Sequence, residues 1–504
     1  MDAGQRLLWI PLMHCCSCSD ANSAFRSDAS KHSDDRGIQT PNLPFTEPTW
    51  SQFSVELCPD LPDIHAMLDR QPNDAAPHSP SIAQVPTDTL TQPRRVVTGG
   101  ISWRKTFAAF RHRNYRLFFF GQLVSVIGTW MQTVAVGWLV YQLSNSALTL
   151  GVVRFLGAIP ITALTLVGGV IADRFEKRRI VVATESTAMV LAFVLTVLVY
   201  SGVVQIWQIM LLSLLEGITD AFDIPTRQSF VVEMVGKDDL MNAIALNSSL
   251  FNGARVFGPA LAGVLIGAVG VVGCFFVNGL SYLAIVTAYV AMRLPVAPAR
   301  VDRKPIWDET LEALRYVCGH RTLRAVVLLV TIVSLFGWPY SVLLPVFARD
   351  VLHVGAGGYG FLMAANGVGA FIGALALASL GDSPHKRKLF YGGLFGFCAT
   401  LIVFALSHVY WVSAVSLTGS GFCMIIFFAT ANTSVQTRVP DELRGRVMGI
   451  YSLAFLGLTP FGSLLAGAIA RATSAGFAVG LGAVVCIAAG LGVMRFMRPQ
   501  QPRQ

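Results

Sequence analysis

Charge is scarce in this chain. Of its 504 residues only 13% are Asp, Glu, Lys or Arg, and 53% are hydrophobic, where a soluble domain carries roughly a quarter charged residues. Water is therefore not the main solvent for most of the sequence. Also missing is any Gly-x-x-x-x-Gly-Lys-Ser/Thr phosphate loop, which argues against an ATP-driven machine. No zinc or nucleophile constellation appears, so no catalytic residue, metal or cofactor is expected and an enzyme is disfavoured. The 9 cysteines lack the pairing pattern of a secreted scaffold. Cys274, Cys398, Cys423 and Cys486 fall inside apolar runs, where a thiol packs as a small hydrophobe. Cys15, Cys16 and Cys18 could be metal ligands or acylation sites, with incidental thiols as the simpler reading. A secretory leader is not evident either, because Leu7 to Met13 is short and Arg6 alone makes no basic lead-in.

What is present is segregated. Residues 1–103 are rich in Pro, Ser, Asp, Gln and Asn, with no apolar run able to offset the entropy of ordering. A disordered polar tail is expected there; alternatively the compact protein begins near Val96. Apolar runs of about 20 residues follow, the length that crosses a bilayer core. Twelve transmembrane spans are placed near 117–141, 148–171, 180–200, 206–226, 242–266, 271–292, 324–350, 358–380, 389–407, 409–433, 447–470 and 476–497. Each must be helical, since lipid offers backbone groups no other partner and no alternating barrel pattern appears.

The loops alternate in charge. One set holds Arg104, Lys105, Arg111, Arg113 and Arg116; Arg174, Lys177, Arg178 and Arg179; Arg227 and Lys237; Arg293 through Arg324; Lys386, Arg387 and Lys388; Arg438, Arg444 and Arg446; and Arg498 and Arg503. The opposite set holds only Arg349 and Arg471. The positive-inside rule then puts both termini in the cytoplasm of a multi-pass protein of the cell (inner) membrane. It also accounts for the net charge of +9 without nucleic acid, whose binding would need one basic surface.

The chain repeats itself at an offset near 204 to 208 residues. His112-Arg113 before span 1 echoes His320-Arg321 before span 7, and Gly169 in span 2 echoes Gly373 in span 8. Gly258, Ala262 and Gly263 in span 5 echo Gly462, Ala466 and Gly467 in span 11. Such a parallel repeat predicts an all-α fold of two six-helix bundles around an axis normal to the membrane, with a cavity between them. The expected organisation is a tail over 1–103, bundles over 104–293 and 323–497, a cytoplasmic central loop over 294–322 and a short tail over 498–504. An amphipathic piece in that loop, Asp308 to Tyr316, is expected to lie on the cytoplasmic surface.

Between spans 2 and 3 stand Gly169, Asp173, Arg174, Lys177 and Arg178, which resemble the signature of the major facilitator superfamily. Gly258-Pro259 with Gly263 is similar to the Gly-Pro motif of its antiporter branch. The phrases Ala221 to Gln228 and Asn242 to Ser248 resemble the enterobactin-exporter branch, the transmembrane secretion effectors. The resemblance covers about residues 104–497. It implies a secondary active transporter that exports small amphipathic molecules, siderophore- or drug-like, by alternating access driven by protons. The partners it implies are the lipid bilayer, a small-molecule substrate and protons, and a monomer is expected. Three departures stand out: Glu176 replaces a usual Gly, Leu377 replaces the acid in the second copy, and span 4 has Ser213 where many antiporters carry Arg. An uptake transporter of the same fold, and a non-transporting membrane sensor or scaffold, remain as alternatives.

Candidate residues follow from the cost of placing charge in a span. Arg154, Glu185, Glu216, Asp220 and Arg255 all belong to the first half. Counting from the loops puts Glu216 and Arg255 at one depth, with Asp220 a turn inward. A carboxylate that alternates between protonated and paired states would couple protons to transport, whereas a static buried pair would only fix packing. Glu185 and Asp223 lie nearer the inner surface, where a gate or cap role is expected. No His falls within a span, which disfavours a histidine relay. By the resemblance, Asp173 acts as a latch that closes the inner gate with nearby cations and the start of span 11, and the cavity is lined by Gln122, Thr129, Gln132, Trp338 and Tyr340. A plain topology signal and ordinary helix packing are the bland readings of those two sets. Gly258-Pro259 predicts a kink and a close helix approach.

Overall fold

The computed structural model describes residues 107–236, 238–293, 306–380 and 385–497. The tail expected over 1–103, with Cys15, Cys16 and Cys18, lies outside the described residues, as do the loop cations Arg104, Lys105, Lys237, Arg300, Arg303, Lys304, Arg498 and Arg503. What is described is helical. The membrane helices are α1 (Arg113–Ser144), α2 (Ala147–Arg174), α3 (Lys177–Tyr200), α4 (Ile206–Val235), α5 and α6 (together Leu240–Ala291), α7 (Arg321–Val351), α8 (Ala356–Leu380), α9 (Lys386–Leu406), α10 (Tyr410–Gln436), α11 (Asp441–Ala472) and α12 (Ala475–Phe496).

Ten of these helices are long and apolar enough to cross a membrane. The 52-residue Leu240–Ala291 is two spans in one, broken at Gly270, whose φ of 75° is open to glycine and strained for other residues. The remaining helix, α4, carries Glu216, Asp220, Asp223 and Arg227 and is the polar exception, giving twelve among the described residues. Its length corrects the expected end at 226: the helix runs on to Val235, so Arg227 belongs to a membrane helix and not to a loop. Local signals set other ends. Asn145 in the left-handed region closes α1, Ser146 and Ser474 cap α2 and α12, and Gln205 with Gln208 forms a capping box for α4.

Glycine contacts reproduce the repeat in three dimensions. A Cβ on Gly360 of α8 would lie 2.5 Å from the Pro259 carbonyl of α5, and one on Gly151 of α2 would lie 2.6 Å from the Ser463 carbonyl of α11. The same holds within each half: Gly168 of α2 sits against Ala221 of α4, and Gly373 of α8 against Phe422 of α10. Small residues allow backbones to touch, which is how helices associate in lipid. Gly258 touches Trp130 of α1, and Gly263 touches Gly357 and Gly360 of α8. The close approach expected of the Gly-Pro motif is thus present, while Pro259 stays inside a helix whose break lies at Gly270.

The halves meet unevenly. Contacts between α2 and α11 run from Ala147 with Gly467 to Thr162 with Gly457, and those between α5 and α8 from Gly263 with Gly357 to Arg255 with Gly367. All lie between the end that carries Asn145 and the middle of the helices. Toward the other, basic end a Cβ on Gly169, Gly253, Gly445 or Gly449 would meet nothing within 4 Å. Among the described residues these contacts thus close the cleft toward the end that carries Asn145, and none of them is found at the basic end. Large apolar side chains such as Leu166, Val197, Val264, Trp411 and Val415 remain exposed on the helices, as a lipid-facing surface requires. The connecting helix Ile306–Gly319 buries Ala313 and Val317, and its Glu312 pairs with Arg446 of α11 at 3.1 Å.

Candidate functional site

A cavity of about 530 Å³ lies between the halves, lined by residues of α1 to α6 on one side and of α7, α8, α10 and α11 on the other. Its charged lining residues are Arg154, Glu185, Glu216, Asp220, Asp223, Arg227 and Arg255. They form three groups along the cleft.

Nearest the closed end, the Gln132 amide of α1 donates to a Glu216 oxygen at 3.1 Å. The Gln132 carbonyl oxygen accepts from the Asn278 amide of α6 at 2.8 Å, and the Asn278 oxygen accepts from the Ser281 hydroxyl at 3.1 Å. This chain fixes the orientation of both amides and presents Gln132 as a donor to Glu216. Arg154, exposed in the cavity wall, is the cation whose field reaches Glu216. Glu216 and Arg255, expected at one depth, share no ion pair among the described residues: Arg255 is engaged with Asn366 and Trp338.

Toward the basic end, Arg227 lies 3.3 Å from Asp223 and 3.7 Å from Glu185, and its guanidinium rests over the Phe251 ring. Thr184 donates to Asp223 at 3.0 Å. Asp220 sits one turn from both Glu216 and Asp223 on the same helix face, within the field of each. Four carboxylates are thus gathered from α3 and α4, with Arg227 the only ion-pair partner in the cavity among the described residues.

The third group joins the halves. Arg255 donates to the Asn366 oxygen of α8 at 2.9 Å and lies 5.9 Å from the centre of the Trp338 ring. Asn366 in turn donates to the Tyr340 hydroxyl at 2.7 Å and to the Leu417 carbonyl at 3.1 Å. Trp338 follows a π-turn, Val333–Gly337, and precedes Pro339. Proline cannot donate to the carbonyl four residues back, so the turn widens by one residue and the Leu335 carbonyl is turned toward Gly462 of α11.

Of the other sequence candidates, Thr129 donates to the Ser125 carbonyl at 3.0 Å, lies 3.5 Å from the Tyr282 hydroxyl and lines the cavity. Gln122 is fully buried, and neither amide atom has a partner among the described residues. In the motif between α2 and α3, Lys177 pairs with Glu233 at 2.6 Å, and Arg178 donates to the Tyr289 carbonyl at 2.8 Å and to that of Val290. Those two cations tie α3 to the ends of α4 and α6 within their own half. Asn278, Asn366 and Arg227 are site residues that the sequence reading passed over. The available signal was an amide or guanidinium inside a membrane helix.

Twelve helices in two related sets of six around a shared cleft define a major facilitator transporter, a multi-pass membrane protein and not an enzyme. The chain belongs to the transmembrane secretion effector family, whose model matches residues 104–503. It is 26% identical over 353 residues to the staphyloferrin A transporter of Staphylococcus aureus, covering 69% of this chain and 88% of that protein. It is 25% identical to the multidrug efflux pump Tap of Mycolicibacterium fortuitum, covering 71% and 89%, and 24% identical to the enterobactin exporter of Salmonella typhimurium, covering 73% and 88%. Among solved structures, the nucleoside transporter NupG superposes with a TM-score of 0.61 at 12% identity over 77% of this chain and 100% of that one. A bacterial homologue of the iron transporter ferroportin in an inward-facing state gives 0.58 at 16%, over 77% and 99%.

Proposed function

We propose that this transporter exports small amphipathic molecules, siderophore- or drug-like, across the cell (inner) membrane, driven by protons and working as a monomer. The halves 104–293 and 323–497 alternate around the cleft, with both termini and the basic end on the cytoplasmic side. The open basic end then corresponds to the loading state, and Gly169, Asp173 and Arg174 belong to the gate that shuts it. The observation that carries the reading is the group of Glu185, Glu216, Asp220 and Asp223 facing a cleft shared by both halves, with one ion-paired arginine among them. Uncompensated charge at membrane depth is costly, and a proton is the smallest counter-ion that can follow such a group as water leaves. Export, as opposed to uptake, is supported by the efflux and exporter relatives.

The test is efflux of a dye and siderophore panel from cells expressing the full chain, with and without a protonophore. The expected result is one or more compounds leaving faster than from control cells, with the advantage lost on adding protonophore or in Glu216→Gln, Asp220→Asn and Asp173→Asn. A well-expressed protein that moves nothing outward, or whose efflux ignores both protonophore and carboxylate changes, would overturn proton-driven export.

A further inference from the structure

Three arginines line the cavity, and two are engaged. Arg227 is held by Asp223 and Glu185, and Arg255 by Asn366 and the face of Trp338. The third, Arg154, is exposed, and no hydrogen bond or ion pair within 4 Å ties it to another described residue. Glu216, which its field reaches, makes no ion pair with it within 4 Å and already accepts a hydrogen bond from Gln132. Five guanidinium N–H donors thus face the cavity with their geometry uncommitted.

Position adds to this. Arg154 stands two turns from the start of α2, beneath the closed end, so a molecule entering from the basic end meets it last. Around it are surfaces suited to a ring or an alkyl body. Tyr359 of α8 lies within the field of Arg154 and stacks on Trp138 with ring centres 6.2 Å apart. Trp338 and Met363 line the opposite wall. Carrying an unpaired cation inside a membrane helix is expensive, and guanidinium meets carboxylate with two parallel hydrogen bonds.

We infer that Arg154 is the docking group for an anionic substrate, and that the transported molecules carry an ionised carboxylate placed at the apex of the cleft with their apolar body against Trp338 and Tyr359. This rests on the transport reading above and narrows its substrate class. Amphipathic cations are disfavoured, since their head group would face Arg154.

The experiment uses the full chain in nanodiscs and three probes of one shape: 2-naphthoate, its methyl ester and 2-naphthylmethylamine. Calorimetric titration, corrected with empty nanodiscs, should give naphthoate about tenfold tighter binding than the ester, the difference expected of one charge-assisted pair. Arg154→Gln should bring naphthoate down to the level of the ester, and Arg154→Lys, which keeps the charge without the fork, should retain part of the difference. Ester binding reports an intact cavity, and if Arg154→Gln fails to fold, a reduced preference in Arg154→Lys carries the same information. Equal binding of acid and ester by the unaltered protein, or an undiminished preference in Arg154→Lys and Arg154→Gln, overturns the inference. If cells still expel neutral or cationic dyes under protonophore control in that case, the export reading stands and only the anion site falls. A protein that binds none of the probes and expels nothing removes both.

Discussion

The two halves share a skeleton and differ in chemistry. Glycine contacts recur at repeat-related positions, with Gly151 on Ser463 matching Gly360 on Pro259. Charge does not recur: all seven charged residues lining the cleft come from the first half. The second half contributes Trp338, Tyr340, Tyr359, Met363, Asn366 and Met424, together with π-turns at Val333–Gly337, Phe347–Val351 and Leu453–Gly457. Close helix approach is needed on both sides of a two-fold assembly, whereas charge in a membrane is costly and one set suffices. Duplication supplied the frame, and one copy carries the ionisable groups.

The sharpest way to break this division is to neutralise one side and then the other. Asp220→Asn or Glu216→Gln is expected to bring protonophore-sensitive efflux down to the control level. Asn366→Leu, in the half that gives the cleft no charged residue, should lower efflux without removing its response to protonophore. Next in size are the repeat-related glycines. Gly151→Val and Gly360→Val each force a side chain against a backbone carbonyl and should destabilise the protein by about 1–3 kcal/mol, read as a lower melting temperature in detergent. Equal losses at the two positions would confirm the shared skeleton, and Gly253→Ala, in open space, serves as the silent control.

Of similar size is the loss expected from Asn366→Ala, which leaves Arg255 without its acceptor across the halves; about 1–3 kcal/mol is the usual penalty for stranding such a donor. The smallest effect concerns Asp239, outside the membrane helices. Its carboxyl is held below the usual range by the hydrogen bond with His112 and by Arg111, each 2.7 Å away. A depressed carboxylate stabilises the folded state above its unfolded pKa and stops doing so as pH falls through the folded value. Asp239→Asn should therefore melt slightly earlier than the unaltered protein at neutral pH, with the gap closing in acid below about pH 4.

Much of the frame was legible in the sequence because its signals are one-dimensional: apolar run length, the residue offset and small residues at fixed spacing. The site was legible only in part. Counting residues from the loops gives depth along the membrane normal, which placed Glu216 and Arg255 at one level. It says nothing of direction around the helix axis, and Arg255 reaches Asn366 of α8 while Arg154 is the cation whose field reaches Glu216. Arg227 was read as a loop cation because span 4 was ended at 226, nine residues short of Val235. Asn278 and Asn366 were passed over because an uncharged amide in an apolar run carries weak weight until its partners are seen.

The closed end is sealed differently from the contacts beneath it. There the Tyr141 hydroxyl bonds Asp350, and Arg349 reaches Asn145 at 2.6 Å and the Tyr141 carbonyl at 3.4 Å. Polar bonds at a wet rim can be exchanged for bonds to solvent with little net change, unlike glycine surfaces pressed together at depth. Water is thus a working part of this seal, and solutes that lower water activity should hold it shut longer.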